Sequence, residues 1–396
     1  SMIENEKDSV FKLKDAIIEY NANTDSIYSS KKSGIDSYKI FYKKDTITIN
    51  KSLVFDNVHL LPYPNLPNTS INNYTEVGLY YFKFKEKIVV KNSTNAIFDH
   101  CTFEKKVSII MDLDFHKFGS IISERDFLTD DGSFLSNNDF HFLNSNFKNG
   151  LELKLNPGKT SGFNYSSLTI KKSKITLNNT NQVAQIRNIN SLDFSENIVN
   201  GFYFFNLNNL NRTTFHKNTF NDSGFIYLPK TDGEYNLTDN YFKKNIVILL
   251  PEITKKLKID WNQWSQHFIN QDSYAEYCLS ILNEKNQSKS FQEIFRTELK
   301  DGKLKNELEK FIVKKNELYR AEIALLAELL NLYKSRLDIE SGNLVYVKFK
   351  DLETKRTRFL YKQNPTFKSF FTWKINQFLK VFSAYGTEPA RAVVFS

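Results

Sequence analysis

The sequence predicts a β-rich N-terminal right-handed parallel β-helix, followed by an α-helical C-terminal domain that contains a small β-ribbon. Three observations lead there: a degenerate repeat through the first 250 residues, a change to 3.6-residue apolar periodicity near residue 270, and an alternating segment near 344–362. The expected divisions are an N-terminal helical cap over 1–25, the β-helix over 26–255, a helical connector over 256–386, and the start of a membrane-entering helix over 387–396.

The repeat unit reads apolar, two polar residues, a small residue, any residue, apolar. It occurs as Phe55-Asp-Asn-Val58-His-Leu60, Phe98-Asp-His-Cys101-Thr-Phe103, Phe142-Leu-Asn-Ser145-Asn-Phe147 and Ile170-Lys-Lys-Ser173-Lys-Ile175. It continues as Phe194-Ser-Glu-Asn197-Ile-Val199, Phe215-His-Lys-Asn218-Thr-Phe220 and Leu237-Thr-Asp-Asn240-Tyr-Phe242. The last five units are spaced by 28, 24, 21 and 22 residues, and the two earlier gaps, 43 and 44, are twice that, as if an intervening repeat had drifted. Each unit reads as a short strand, a turn and another short strand, with Phe215 facing inward and His216 outward. A period near 21–24 residues suits one coil of a parallel β-helix, in which apolar side chains stack and inward Asn residues form a ladder. A β-sandwich is the alternative, and the scarcity of hairpin turn signals argues against it.

Val10, Leu13 and Ile17 recur at helical spacing and suggest an amphipathic helical cap. The apolar run ending at Leu250-Pro251 closes the β region. Ser290-Phe-Gln-Glu293 is a capping box opening a helix that ends at Asp301-Gly302. A second helix is expected from about Lys303 to Arg336, carrying Leu308, Ile312, Leu318, Ile323, Leu326 and Leu330. Val345 to Lys362 alternates like two strands around residues 351–355, and Phe367 to Tyr385 is aromatic and helical, stopping at Gly386. Thr387, Glu388 and Pro389 then form a good helix start, so an apolar helix is expected to begin where the 396-residue sequence stops.

With 40% hydrophobic and 25% charged residues the chain can bury a sizeable core. Its longest clean apolar run, Ile246 to Leu250, is far shorter than the ~20 residues of a membrane span. Cys101 and Cys278 lack metal spacing, which suits a reducing compartment. The net charge of +9 is uneven: residues 1–250 carry about +2, 251–340 about 0, and 341–396 about +7. That concentration points to an anionic partner near the C-terminus.

No catalytic constellation stands out, so no enzyme activity and no cofactor are expected. The six histidines show no HExxH or HxH spacing, and P-loop, GxSxG and GxGxxG motifs are missing. Asp112/Asp114 and Asp130/Asp131 are acidic pairs of the kind used by β-helix polysaccharide lyases and hydrolases, which keeps a carbohydrate-active enzyme open as an alternative; a ligand-free interaction scaffold is another. The strongest chemical feature is basic. On a two-stranded ribbon Lys348, Lys350, Arg356, Arg358 and Lys362 would gather as a phosphate-binding set, with Phe359 and Tyr361 as stacking rings. The same composition, extended by Lys368, Lys374 and Lys380, equally describes a juxtamembrane anchor on anionic lipid. Arg187, Arg212, His216 and Lys217, near Phe202 and Tyr203, form a secondary candidate. Self-association is also expected, because a β-helix exposes strand edges at its ends.

Phe295-Arg296 with Leu299-Lys300, Glu317-Leu-Tyr-Arg320 and Tyr385-Gly386-Thr-Glu-Pro389-Ala-Arg391 carry a resemblance. With them the chain resembles bacterial membrane effectors that join a pentapeptide-like β-helix and a helical connector to a C-terminal ion-channel-like transmembrane region. The resemblance implies a homo-oligomeric antiphage effector at the cytoplasmic face of the inner membrane. It further implies gating by an anionic nucleotide or single-stranded oligonucleotide, and an anchor in a transmembrane segment beyond Ser396. Two departures are visible: the repeats are not strict pentapeptides, and no pore segment is present in the sequence.

Overall fold

The computed structural model describes residues 9–18, 46–60, 78–91, 96–111, 138–155, 166–177, 184–187, 189, 191–208, 210–228, 233–244, 246–250, 256–259, 268–285 and 303–388. The chain divides into two compact units, Ser1–Asn221 and Asp222–Ser396.

Short strands of the first unit form three parallel sheets that the chain visits in turn. Ala96–Asp99, Asn138–Leu143, Ser166–Lys171 and Ser191–Ser195 pair successively in one sheet. The strands after their turns, such as Asn146–Phe147 and Lys174–Thr176, pair in a second. Val107–Met111, Leu151–Leu155, Ala184–Arg187 and Tyr203–Asn208 pair in a third. Because the ladders are parallel, equivalent side chains fall into columns. Phe98, Phe142, Ile170, Phe194 and Phe215 form one, and Phe103, Phe147, Ile175, Val199 and Phe220 another. All ten are buried. Phe98 stacks on Phe142 at 5.0 Å and Phe103 on Phe147 at 4.8 Å, a gain beyond simple area burial.

Between the columns each repeat turns on a residue with positive φ: His100, Asn144, Lys172, Glu196 and Lys217, at 48–57°. Each such non-glycine residue costs about 1–2 kcal/mol. The residue that follows offsets this. Cys101, Ser145, Ser173, Asn197 and Asn218 are all buried. The Ser145 N–H donates to Ser173 Oγ (3.1 Å), Ser173 N–H to Asn197 Oδ1 (2.9 Å) and Asn197 N–H to Asn218 Oδ1 (2.9 Å). The side-chain amides of Asn197 and Asn218 donate back to the Ile170 and Phe194 carbonyls, each at 2.7 Å. Buried turn amides are thus satisfied by one small polar side chain per repeat.

Several expectations are corrected. Residues 10–18 form a strand, not a helical cap, and pair in parallel with Ser52–Leu60. Helical spacing of Val10, Leu13 and Ile17 lost to the ladder offered by that neighbouring strand. Phe55 and Leu60 lie within this one strand, so residues 55–60 are not a turn unit. The missed unit is Leu79 to Phe84, aligned with Phe98 and Phe103. No drifted repeat separates Phe98 from Phe142, since their strands pair directly. The additional chain length falls at 112–137, outside the described residues, as do Asp112, Asp114, Asp130 and Asp131.

In the second unit Gly224–Tyr227, Ile246–Leu250 and Phe268–Asn270 pair in parallel, and Glu234–Thr238 pairs with Leu257–Ile259. Strands therefore continue beyond residue 255. Among the described residues five α-helices follow: α1 (Gln271–Lys285), α2 (Lys303–Lys314), α3 (Asn316–Ser335), α4 (Ile339–Gln363) and α5 (Phe367–Ser383). The single helix expected over Lys303–Arg336 is broken at Lys315, whose backbone is extended. The capping box at 290–293, the break at Asp301-Gly302 and residues 389–396 lie outside the described residues.

The ribbon does not form. Residues 339–363 are one helix, capped by Asp338, whose carboxylate accepts the Ser341 N–H at 3.1 Å. Val345 and Leu352, two turns apart, are buried, so the apolar spacing that matters is helical. Val345, Val347 and Phe349 supply β propensity and period two, which packing against α3 overrides.

Candidate functional site: a basic and aromatic helical hairpin

Helix α4 changes the meaning of the basic residues. At about 100° per residue, Lys348 and Lys350 project roughly 200° apart, and the same holds for Arg356 and Arg358. The five cations thus surround a helix instead of sharing a ribbon face. Three are engaged within the unit. Lys348, half-buried, acts electrostatically on the buried carboxylate of Glu322 in α3. Lys350 pairs with Glu353 at 2.7 Å and lies over the Tyr346 and Phe349 rings. Arg356 donates to the Val313 carbonyl and to Asn316 Oδ1, and its guanidinium lies over Tyr319 and Phe359. Phe359 therefore serves as the platform for Arg356. Arg358 and Lys362 are exposed, with Arg358 5.6 Å from the Trp373 ring centre. Tyr361 is half-buried between Phe370 (5.6 Å) and Trp373 (5.9 Å).

Glu322 is the group that sequence reading missed, although its signal was present. It sits in the apolar series Leu318, Leu325, Leu326 and Leu329 of α3, where a carboxylate has no place unless it does something. It accepts the Asn270 N–H at 2.9 Å. Burial lifts its carboxyl above the ordinary range, while Lys348 and the Asn270 N–H pull against that shift.

A second missed cluster ties the middle of α4 to the C-terminal end of α5 and the residues just after it. Asp351 accepts from Lys380 Nζ (2.6 Å) and from Tyr385 Oη (2.8 Å), and Tyr385 Oη lies 3.2 Å from Thr354 Oγ1. Burial, then the Asp351 contact, holds the Tyr385 hydroxyl well above its usual range, so it stays protonated and donating. Sequence reading placed Asp351 in a ribbon turn and had no reason to link it with residue 385.

Together these contacts fix which side of α5 faces α4. Trp373 and Lys380 touch α4, and Asn376 and Gln377 on that side are half-buried. The opposite side carries Phe367, Phe371, Phe378 and Val381, which are 82%, 54%, 60% and 62% exposed. None of the described side chains of α5 is buried, and the helix contains three lysines and no acidic residue. Its inward side is mixed, with Phe370 and Trp373 against Tyr361 and Lys380 on Asp351, while a second set of aromatic residues is turned outward. That outward arc is the unusual chemistry of the site: it offers area to an apolar partner with cations close by.

The secondary candidate is dispersed. Arg187 ends the strand Ala184–Arg187 in one sheet, with its side chain outside the described residues, while Arg212 and His216 lie on Arg212–His216 in another. Lys217 is the positive-φ turn residue. Phe202 and Tyr203 are buried and present no free ring face. Among the described residues no three His, Cys, Asp or Glu side chains are grouped to hold a metal ion, and no helix is long and apolar enough to cross a membrane. Compared with known proteins, the chain matches no family model, no curated protein and no solved structure.

Proposed function

We propose that this chain is the regulatory region of a membrane-anchored, homo-oligomeric bacterial effector of the antiphage type, and not an enzyme. On this reading the parallel sheets stack as a right-handed β-helix that serves as assembly and docking scaffold. The helical region relays the state of that scaffold to the bilayer. The observation that carries the reading is the outward aromatic arc of α5 beside exposed cations, a composition suited to the membrane–water boundary. The resemblance of residues 385–391 to the segment entering a membrane helix supports it further. An anionic messenger would meet Arg358 and Lys362 first, because these two of the five basic positions are exposed.

The test is fractionation of bacteria carrying the native gene. The product should sediment with the inner membrane and resist carbonate extraction. Recovery in the soluble fraction would sink the reading.

A further inference from the structure

We infer that α5 is an interfacial helix that lies flat on an anionic bilayer, its aromatic arc in the headgroup–acyl boundary and its lysines against lipid phosphates. The inference rests on the membrane reading above and specifies the surface involved, the lipid class and the orientation.

Three features of α5 select lipid as the occupant. The first is orientation. A helix that packs on its own protein normally turns its apolar side inward, whereas α5 turns Phe370, Trp373 and Lys380 to Tyr361 and Asp351 and leaves Phe367, Phe371 and Phe378 facing away. A helix of this length is about 25 Å long, and one face of it embedded by 5–10 Å is the ordinary geometry of interfacial binding.

The second is charge. Lys368 and Lys374 are exposed and α5 lacks acidic residues, so the whole surface favours an anion. Lys374 Nζ lies 4.4 Å from the Trp373 ring centre and 6.0 Å from that of Phe370. The ammonium is thereby swept to the edge of the arc, where a snorkelling lysine reaches headgroups while its stem stays apolar.

The third disfavours a second copy. Residue 375 is the midpoint of α5, so antiparallel pairing of two arcs would bring Lys374 beside Lys374 in a drying interface. Two like charges without a carboxylate between them are costly there. A bilayer rich in phosphatidylglycerol supplies the missing anions.

The test is flotation of this chain with vesicles of phosphatidylcholine and phosphatidylglycerol at 70:30, and with vesicles of phosphatidylcholine alone. Binding to the anionic vesicles is expected, falling steeply with salt and much weaker on the neutral ones. Phe371→Ser with Phe378→Ser should lower anionic-vesicle binding by about tenfold or more. Both side chains are exposed, so the far-UV spectrum and melting temperature should not change. Lys368→Glu with Lys374→Glu should abolish the preference for anionic lipid. The inference is overturned if the chain ignores anionic vesicles, if the Phe variant binds as well as the parent, or if neutral vesicles bind equally. It is also overturned if light scattering shows a dimer that the Phe variant dissolves, for then a second copy covers the arc. Carbonate-resistant membrane protein in cells combined with no vesicle binding by the chain would sink this inference alone. Vesicle binding by the chain combined with soluble protein in cells would sink only the anchored-effector reading.

Discussion

At the scale of single residues, two buried polar groups control stability in opposite ways. Asn218 satisfies the Asn197 N–H and the Phe194 carbonyl from one side chain. Asn218→Ala strands both, so unfolding in urea should show a loss of about 2–3 kcal/mol; a loss under half of that would show that water replaces the amide. Glu322 works through protonation. Its carboxyl is raised above 4.5 by burial, so the folded state holds the proton more tightly than the unfolded one. Stability from this group is therefore greatest at or below 4.5 and declines as pH climbs toward the raised value. Glu322→Gln should flatten that decline while keeping an acceptor for Asn270 N–H, so the stability gap between variant and parent should widen with pH. Parallel curves from pH 4 to 8 would refute the role. Glu152 provides the contrast. Burial raises it, yet Lys106 at 2.6 Å and Lys154 at 2.9 Å hold it down to about 2, and its contribution is lost as pH falls from 4.5 toward that value.

Elements were legible in the sequence to the extent that local pattern and tertiary partner agreed. The columns around Phe142, Ile170, Phe194 and Phe215 satisfied both, and so did α3; α5 was legible from its local helical signals alone, since its aromatic arc has no partner among the described residues of the unit. Residues 10–18 and 345–362 did not: the first has helical spacing but a strand for a neighbour, the second strand-like alternation but a helix for a neighbour. The basic set failed for the same reason, since its supposed common face depended on the ribbon. The Asp351–Tyr385 link, 34 residues apart, leaves no local trace. Asp351→Asn removes the charge that holds Lys380 and weakens the hold on Tyr385. Amides of α5 should then exchange with solvent several-fold faster while those of α3 keep their protection. Uniform acceleration in both helices would mean that the contact supports the whole unit and not the hairpin.

At the scale of the whole molecule, homo-oligomerisation and lipid binding should be separable properties. Parallel strands leave backbone donors and acceptors at their terminal edges, and symmetric closure is the common way to cover such edges. Light scattering should detect an oligomer, and one that persists in Phe371→Ser with Phe378→Ser, because the lysines of α5 oppose pairing through that helix. A strict monomer at every accessible concentration would leave assembly without support in this chain.

The ladder through Ser173, Asn197 and Asn218 also makes the first unit editable in whole increments, like a text from which one line is removed without disturbing the margins. Each turn asks only for a backbone able to reach positive φ and a small polar side chain after it, so a cut made at the same point of two successive turns rejoins equivalent partners. Excising residues 197–217 would bring the Ser173 N–H opposite Asn218 Oδ1, the same donor–acceptor pairing it has now with Asn197. Length could therefore change in natural sequences by such excisions and duplications while the letters of each turn wander, the fixed requirements at the turn being a small side chain with an acceptor atom and a positive dihedral angle before it.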